Sequence, residues 1–365
     1  MQALMDRLGI DLPVILAPMA SVASPELVAA VSNAGGLGSY GCARLTPSQV
    51  KEEAGRIRAL TNRSFNLNFF CHEEPRVTAE QHAAWRARLA PYYAELGIDA
   101  GIAATNYGAA FNEEMCDVVV SVRPKVVSFH FGMPPPPLVG RLKAAGCVLM
   151  ATATTVAEAR RLVDLGCDVI IAQGVEAGGH RGMFLTTDLN EQLGTFALVP
   201  QVVDAVDVPV VAAGAITDVR GVAAAFALGA DAVQVGTAYL FCPEAKVHPL
   251  HRAALAEARE RGTALTNVFT GRPARSLVNR LVREVGPISP LAPAFPAASE
   301  VVQPLSAEGA RLDLSDFMPL WAGQAAPLGQ EMGAAELTRR LADEGLALLR
   351  TLAEQVRQLP HAPSL

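Results

Sequence analysis

No block of lysine and arginine interrupts this 365-residue sequence, whose formal net charge is −6. A mild acidic excess without a basic patch excludes nucleic acid and an anionic membrane surface as main partners. No apolar run reaches the ~18–20 residues that a membrane span requires. Residues 1–11 carry no basic segment leading into an apolar stretch, so no signal peptide is expected and the cytoplasm is the expected compartment. Cysteine is sparse, with six residues at positions 42, 71, 116, 147, 167 and 242, and neither a Cys-x-x-Cys pair nor a Cys/His cluster. That pattern suits buried thiols in a reducing compartment. No histidines and carboxylates share ligand spacing, so no metal site is expected. Gly-x-Ser-x-Gly and Walker elements are also missing. Ala17-Pro18-Met19-Ala20 stands where a dinucleotide fold would carry its glycine fingerprint after the first strand.

What remains is strongly apolar. Hydrophobic residues make up 51% of the sequence and charged ones 18%, with 30 glycines and 25 prolines, a composition suited to a large core with many short buried strands. Eight apolar runs, at 14–17, 37–40, 65–69, 126–131, 148–151, 169–172, 210–213 and 232–235, alternate with helical stretches such as 25–34, 155–165 and 218–228. Several of the runs are apolar almost throughout instead of alternating, as expected of strands buried on both faces of a parallel sheet. Thr155 and Asp218 are suitable N-caps, and Gly166 and Gly229 stand where a C-terminal glycine belongs. The expected fold is α/β, a (β/α)8 TIM-type barrel with a smaller discontinuous helical lid domain; alternation alone leaves a doubly wound open sheet as the rival. The barrel is expected over 1–72, 98–242 and about 316–333, and the lid over 73–97, 243–315 and about 334–365. The last stretch reads as an amphipathic helix that packs on the body.

In such barrels chemistry sits where strands end and loops begin. Reading those positions gives Ala17, Pro18 and Met19, then Asn68, His130, Thr152, Gln173, Gly214 and the run Gln234-Val235-Gly236-Thr237. An amide side chain in a buried strand is costly unless hydrogen-bonded. Asn68, Gln173 and Gln234 at matching strand ends therefore point to one shared ligand with several polar edges. Gly214 and Gly236-Thr237 follow the seventh and eighth runs, the two loops that commonly hold a phosphate in these barrels. Four glycines in the ten residues 173–182 describe a loop shaped for close ligand approach, and His180 lies within it. Its imidazole can take a proton or donate a hydrogen bond near neutral pH. Glu176 and Arg181 read as loop-fixing or surface charges. His130, followed by four prolines at 134–137, either supports that turn or contacts substrate.

Taken together, these stretches resemble the nitronate monooxygenases, formerly called 2-nitropropane dioxygenases. The similar segments are 13–19, 66–68, 128–134, 173–182, 209–216, 230–237 and 321–324, which span most of the chain in order. Gly-Gly-His-Arg-Gly at 178–182 and Ser-Phe-His-Phe-Gly-Met-Pro at 128–134 are the most specific, and the second resembles the class I branch. The resemblance implies a TIM-type barrel with noncovalently bound FMN. It implies that Ala17, Pro18, Met19, Asn68, Gln173, Gly178, Gly179, Gly214, Gln234, Val235, Gly236 and Thr237 contact the cofactor. It makes His180 the catalytic or substrate-orienting residue and places His130 and Tyr107 in the substrate pocket. The implied activity is oxidation of alkyl nitronates, including propionate 3-nitronate, with O2 to a carbonyl compound and nitrite, in a monomer or homodimer. An FMN barrel reductase using NAD(P)H, acting on an enoyl thioester or a quinone, shares the phosphate loops and the Gly-Gly-His region. A lyase or isomerase that uses the phosphate site for its own substrate is the rival from another class.

Overall fold

The doubly buried runs pair side by side in a computed structural model that describes residues 1–99 and 108–358. In chain order the strands are β1 (Val14–Leu16), β2 (Gly38–Gly41), β3 (Phe65–Phe70), β4 (Val126–His130), β5 (Val148–Ala153), β6 (Val169–Gln173), β7 (Gly179–His180), β8 (Val210–Ala213), β9 (Ala232–Val235), β10 (Thr263–Thr266) and β11 (Ala274–Leu277). Eight of them form one parallel sheet ordered β1-β9-β8-β6-β5-β4-β3-β2. A parallel bridge between Ile15 and Leu37 joins the two ends, with Leu16 N donating to Leu37 O at 2.9 Å and Leu37 N to Val14 O at 3.0 Å. The sheet is therefore a closed (β/α)8 barrel, and the open doubly wound sheet is excluded.

Burial on both faces explains why several runs are apolar almost throughout. Val169, Ile171, Val211 and Ala213 belong to a core inside the barrel, sealed from below by Leu4 and Leu8 of the N-terminal helix. Their neighbours Ile170, Ala172, Val210 and Ala212 belong to the outer core beneath the surrounding helices. A polar layer also crosses the interior, where Asn66 Nδ2 donates to Ser39 Oγ at 3.0 Å and to Ser128 Oγ at 2.8 Å. The caps are as the sequence suggests. Thr155 accepts from Glu158 N and Asp218 accepts from Arg220 N and Gly221 N, while Gly166 and Gly229 have φ of 89° and 95°.

Outside the barrel a second core forms. Trp85, Leu89 and Tyr92 of helix Ala79–Leu96 pack with Val268, Leu281, Val302 and Phe317, and Trp85 Nε1 donates to Ala298 O at 3.1 Å. This lid is not purely helical. β10, β11 and β7 form a small antiparallel sheet, so the glycine loop after β6 is shared between lid and barrel. The helix Ala334–Arg357 goes with the barrel by its packing, although the sequence division grouped it with the lid. Its Leu337, Leu341 and Ala342 lie in the barrel's outer core, and Thr338 Oγ1 meets Tyr239 OH at 2.8 Å. Leu341 is fully packed there, so Leu341→Ala should destabilise the barrel by about 2–5 kcal/mol. Urea unfolding of the full chain checks this; an unchanged midpoint would place the helix outside the cooperative unit.

Candidate active site

The loops at the C-terminal ends of the barrel strands enclose a cavity of about 370 Å³, a size typical of cofactor and small-molecule sites. Met19, Asn68, Gln173, His180, Gln234 and Thr237 are on its wall, and so are Ala17, Pro18, Gly178, Gly179, Gly214, Gly236 and His130. Strand alternation turns the Val235 side chain the other way, into the outer core. Tyr107 lies outside the described residues.

The loop after β6 is fixed from several directions. Gln173 Nε2 donates to His180 O at 3.0 Å, and its Oε1 accepts from Gly182 N at 2.9 Å. His130 Nε2 lies 3.1 Å from the same His180 carbonyl, and its Nδ1 lies 3.1 Å from Thr152 Oγ1. A carbonyl only accepts, so the proton is on His130 Nε2 and Nδ1 accepts from the threonine hydroxyl. His130 thus lines the cavity with both nitrogens already engaged. Arg181 is fully buried. Its guanidinium donates to Gly174 O at 2.6 Å, Gln173 O at 2.7 Å and Gln192 Oε1 at 3.0 Å, which makes it the loop-fixing residue. Glu176 accepts from Thr195 N at 2.9 Å and from Thr195 Oγ1 at 2.9 Å, capping the next helix. Gly178 tolerates no side chain, because a Cβ there would lie 2.6 Å from the backbone of Ala322 and Gly323.

His180 is held differently. Its Nε2 meets Thr270 Oγ1 at 2.9 Å, and Nδ1 has no partner among the described residues. Trp321 and Phe295 lie 5.4 Å from its ring, and Phe131 5.9 Å. Arg272 stacks 4.0 Å over Phe131 and donates to Met183 O. Burial chiefly, then His130 and the Arg272 charge, push the His180 pKa down to about 3. Burial also takes His130 to about 3. Both rings are neutral at physiological pH.

Other groups on the cavity wall have a different character. Gln234 Oε1 is buried with no partner among the described residues. Asn68 Nδ2 donates to Ser128 Oγ at 2.9 Å. After β8 the chain passes through two left-handed residues, Gly214 (φ 118°) and Ala215 (φ 56°), before helix Val219–Ala227. Turns of this kind present backbone N–H groups to anions. Thr237 Oγ1 accepts from Gly323 N at 2.9 Å, tying the loop after β9 to the chain returning from the lid. Thr270, Arg272 and Phe295 were not singled out in sequence. They come from the lid, more than 80 residues after His180, and no local pattern marks them.

A closed parallel barrel whose strand-end loops enclose one cleft, with a neutral histidine on its wall, defines an α/β-barrel enzyme. The nitronate monooxygenase family model matches residues 1–344, and the chain belongs to that family of oxidoreductases. It is 39% identical over 363 residues to a nitronate monooxygenase of Paraburkholderia phytofirmans, covering 99% of this chain and 98% of that one. It is 41% identical over 340 residues to a nitronate monooxygenase of Pseudomonas aeruginosa, covering 92% and 97%. Among solved structures it is similar to the nitroalkane oxidase from Streptomyces ansochromogenes, with a TM-score of 0.87, 39% identity and coverage of 96% and 99%. FabK from Thermotoga maritima is also similar, with a TM-score of 0.73, 28% identity and coverage of 97% and 98%.

The neutral histidines make stability depend on pH. A folded-state pKa of about 3 for His130 and His180, against about 6.5 in the unfolded chain, means that the unfolded chain binds more protons below pH 6.5. Their contribution is complete above that pH and is lost as pH falls toward 3. Each ring keeps an edge on the cavity, so the slope should stay below about 1.4 kcal/mol per pH unit for each. Melting temperatures at pH 7, 6 and 5 should therefore descend; a flat profile would mean that the rings are already solvated and protonatable in the folded state.

Proposed function

We propose that the protein is an FMN-dependent monooxygenase that oxidises alkyl nitronates, propionate 3-nitronate among them, with O2 to a carbonyl compound and nitrite. The observation that carries this reading is His180, anchored through its backbone and through Nε2, with Nδ1 beside the cavity and without a partner among the described residues.

The residues around the cavity fit a flavin nucleotide. The unpartnered Gln234 Oε1 is a buried acceptor waiting for a donor. Gly214 and Ala215, followed by a helix N-terminus, suit the phosphate, with Gly236 and Thr237 opposite. Asn68, Gln173 and the segment Ala17 to Met19 would border the remainder. Bound FMN would supply a redox-active ring able to take electrons from the nitronate and pass them to O2.

The protein's own part is binding, orientation and exclusion of water. A Thr270 hydroxyl that donates to Nε2 leaves the proton on Nδ1, where it can donate to a nitronate oxygen. Turned instead toward Arg272 O, 3.5 Å away, the hydroxyl accepts from Nε2–H and leaves Nδ1 as a base for a neutral nitroalkane. The first arrangement is the one that suits an anionic substrate. The Arg272 charge, which disfavours a proton on His180, by the same sign favours an anion beside it. Phe70, Phe131, Phe295 and Trp321 wall the imidazole and limit water around it.

The direct test uses the purified yellow protein. Propionate 3-nitronate should drive O2 consumption and nitrite release, while anaerobic NADH or NADPH should leave the flavin oxidised. Rapid bleaching by either nicotinamide would instead establish the rival reading, an FMN barrel reductase. His180→Ala should keep its flavin, because the His180 carbonyl and not its ring holds the loop. It should lose at least about 100-fold in kcat/KM, and turnover at the wild-type rate would remove His180 from the mechanism.

A further inference from the structure

We propose that Gly323 is a positioning residue for the flavin phosphate, its N–H holding the Thr237 hydroxyl so that the hydroxyl proton turns into the cleft. The inference rests on the FMN reading above and adds to it a residue of the chain returning from the lid.

Thr237 opens the turn after β9 and lies on the cleft wall. Its Oγ1 accepts from Gly323 N at 2.9 Å, its only hydrogen bond among the described residues. A backbone N–H only donates, so this contact occupies a lone pair of the hydroxyl and leaves the proton free to be given elsewhere. The proton cannot lie along the line to Gly323 N, and the cleft is where an acceptor is missing. Thr237 follows Gly236 and stands across from the left-handed turn at Gly214 and Ala215. A phosphate oxygen between those loops is the acceptor of matching chemistry, because a hydrogen bond to an ionised group is stronger than one between neutral partners.

Gly323 is fixed from both sides. Leu277 N of β11 donates to Leu320 O at 2.9 Å, and Ser276 bridges Trp321. On the other side Gln324 N donates to Glu176 O at 3.0 Å. The segment 320–324 is thus stitched to the lid sheet and to the loop after β6, and Gly323 N is held against Thr237 by both. Only a residue without a side chain fits there. A Cβ on Gly323 would lie 3.0 Å from Glu176 O, 3.2 Å from Gly178 N and 3.4 Å from Thr237 Oγ1. Two of these neighbours are backbone atoms, and Glu176 O is already engaged. An added methyl group therefore shifts the segment and loosens the bond to Thr237.

The full-length chain is stripped of flavin and titrated by fluorescence quenching with FMN and with riboflavin, which lacks the phosphate. Gly323→Ala should weaken FMN at least about 5-fold, the value of one ordinary hydrogen bond, and leave riboflavin within about 3-fold of wild type. Weakening of both alike would make Gly323 a packing residue only, and wild-type affinity for FMN would make it dispensable; either overturns the proposal. Thr237→Val removes the hydroxyl and should weaken FMN by about 10–150-fold, the value of a hydrogen bond to a charged group. In the double variant the loss should be smaller than the product of the two separate losses, because both act through one hydroxyl; a full product overturns the proposal. Should Gly323→Ala fail to fold, proton NMR of the wild-type amides decides. A hydroxyl that donates to a phosphate becomes a stronger acceptor. The Gly323 amide proton must then move downfield when FMN is added to the stripped protein and not when riboflavin is; an unmoved resonance, or one moved equally by both, overturns the proposal. A wild-type chain that takes up neither flavin removes the cofactor reading itself, an outcome distinct from failure of Gly323 alone.

Discussion

The site depends on one backbone carbonyl. His180 O receives Gln173 Nε2 at 3.0 Å and pairs with His130 Nε2 at 3.1 Å, so β6 and β4 both anchor the glycine loop at the same atom. Thr152 of β5 orients His130 in turn. Each such bond contributes only about 0.5–1.5 kcal/mol net, but leaving a buried partner unpaired costs about 1–3 kcal/mol. The arrangement is therefore mutually enforced: removing His130 takes one of two donors from that carbonyl, and removing Gln173 takes the other and also leaves Gly182 N without its acceptor. Its consequence is chemical. The loop is fixed through the backbone of its histidine, and the imidazole is released from structural duty.

Charge placement follows from the same packing. Arg181 lies wholly inside the protein and spends its guanidinium on two carbonyls and Gln192. Burial takes its pKa down to about 9 and that of Arg272 to about 10, yet both remain cationic at physiological pH. Glu158, which accepts from Thr154 N at 2.7 Å and Leu185 N at 3.1 Å, partly offsets both charges. The residual positive field falls on the neutral imidazoles. A field of this sign disfavours protonation of the two rings and favours an anion over a cation beside them.

The sequence discloses the barrel well and the lid poorly. All eight barrel strands are legible because parallel strands buried on both faces leave continuous apolar runs, and helix caps such as Thr155 and Asp218 mark the boundaries between them. β7 has two residues, and β10 (Thr-Ala-Leu-Thr) and β11 (Ala-Arg-Ser-Leu) mix polar with apolar residues, so none leaves a continuous apolar run. The cavity-facing amides at 68, 173 and 234 stand out because polar residues are anomalous in such strands. Their roles differ in ways no pattern records: Gln173 is saturated by its own loop, whereas Gln234 keeps an unpaired oxygen. Val235 shows the limit of reading a motif as a block, since strand alternation turns one of four consecutive residues away from the cavity.

The lid is more than a cover. β11 pairs Ala274 with His180 and Arg275 with Gly179, and Arg275 Nε donates to Val175 O at 2.9 Å. Thr270, in the turn between β10 and β11, supplies the only hydrogen-bond partner of the His180 ring among the described residues. Half of the histidine's environment, its carbonyl, is therefore set by the barrel, and the other half, its tautomer, by the lid. Any displacement that carries Thr270 away would leave the loop in place but the ring without its tautomeric control. Barrel and lid cannot be assigned to binding and shielding respectively, because the protonation pattern of the central residue exists only where they meet.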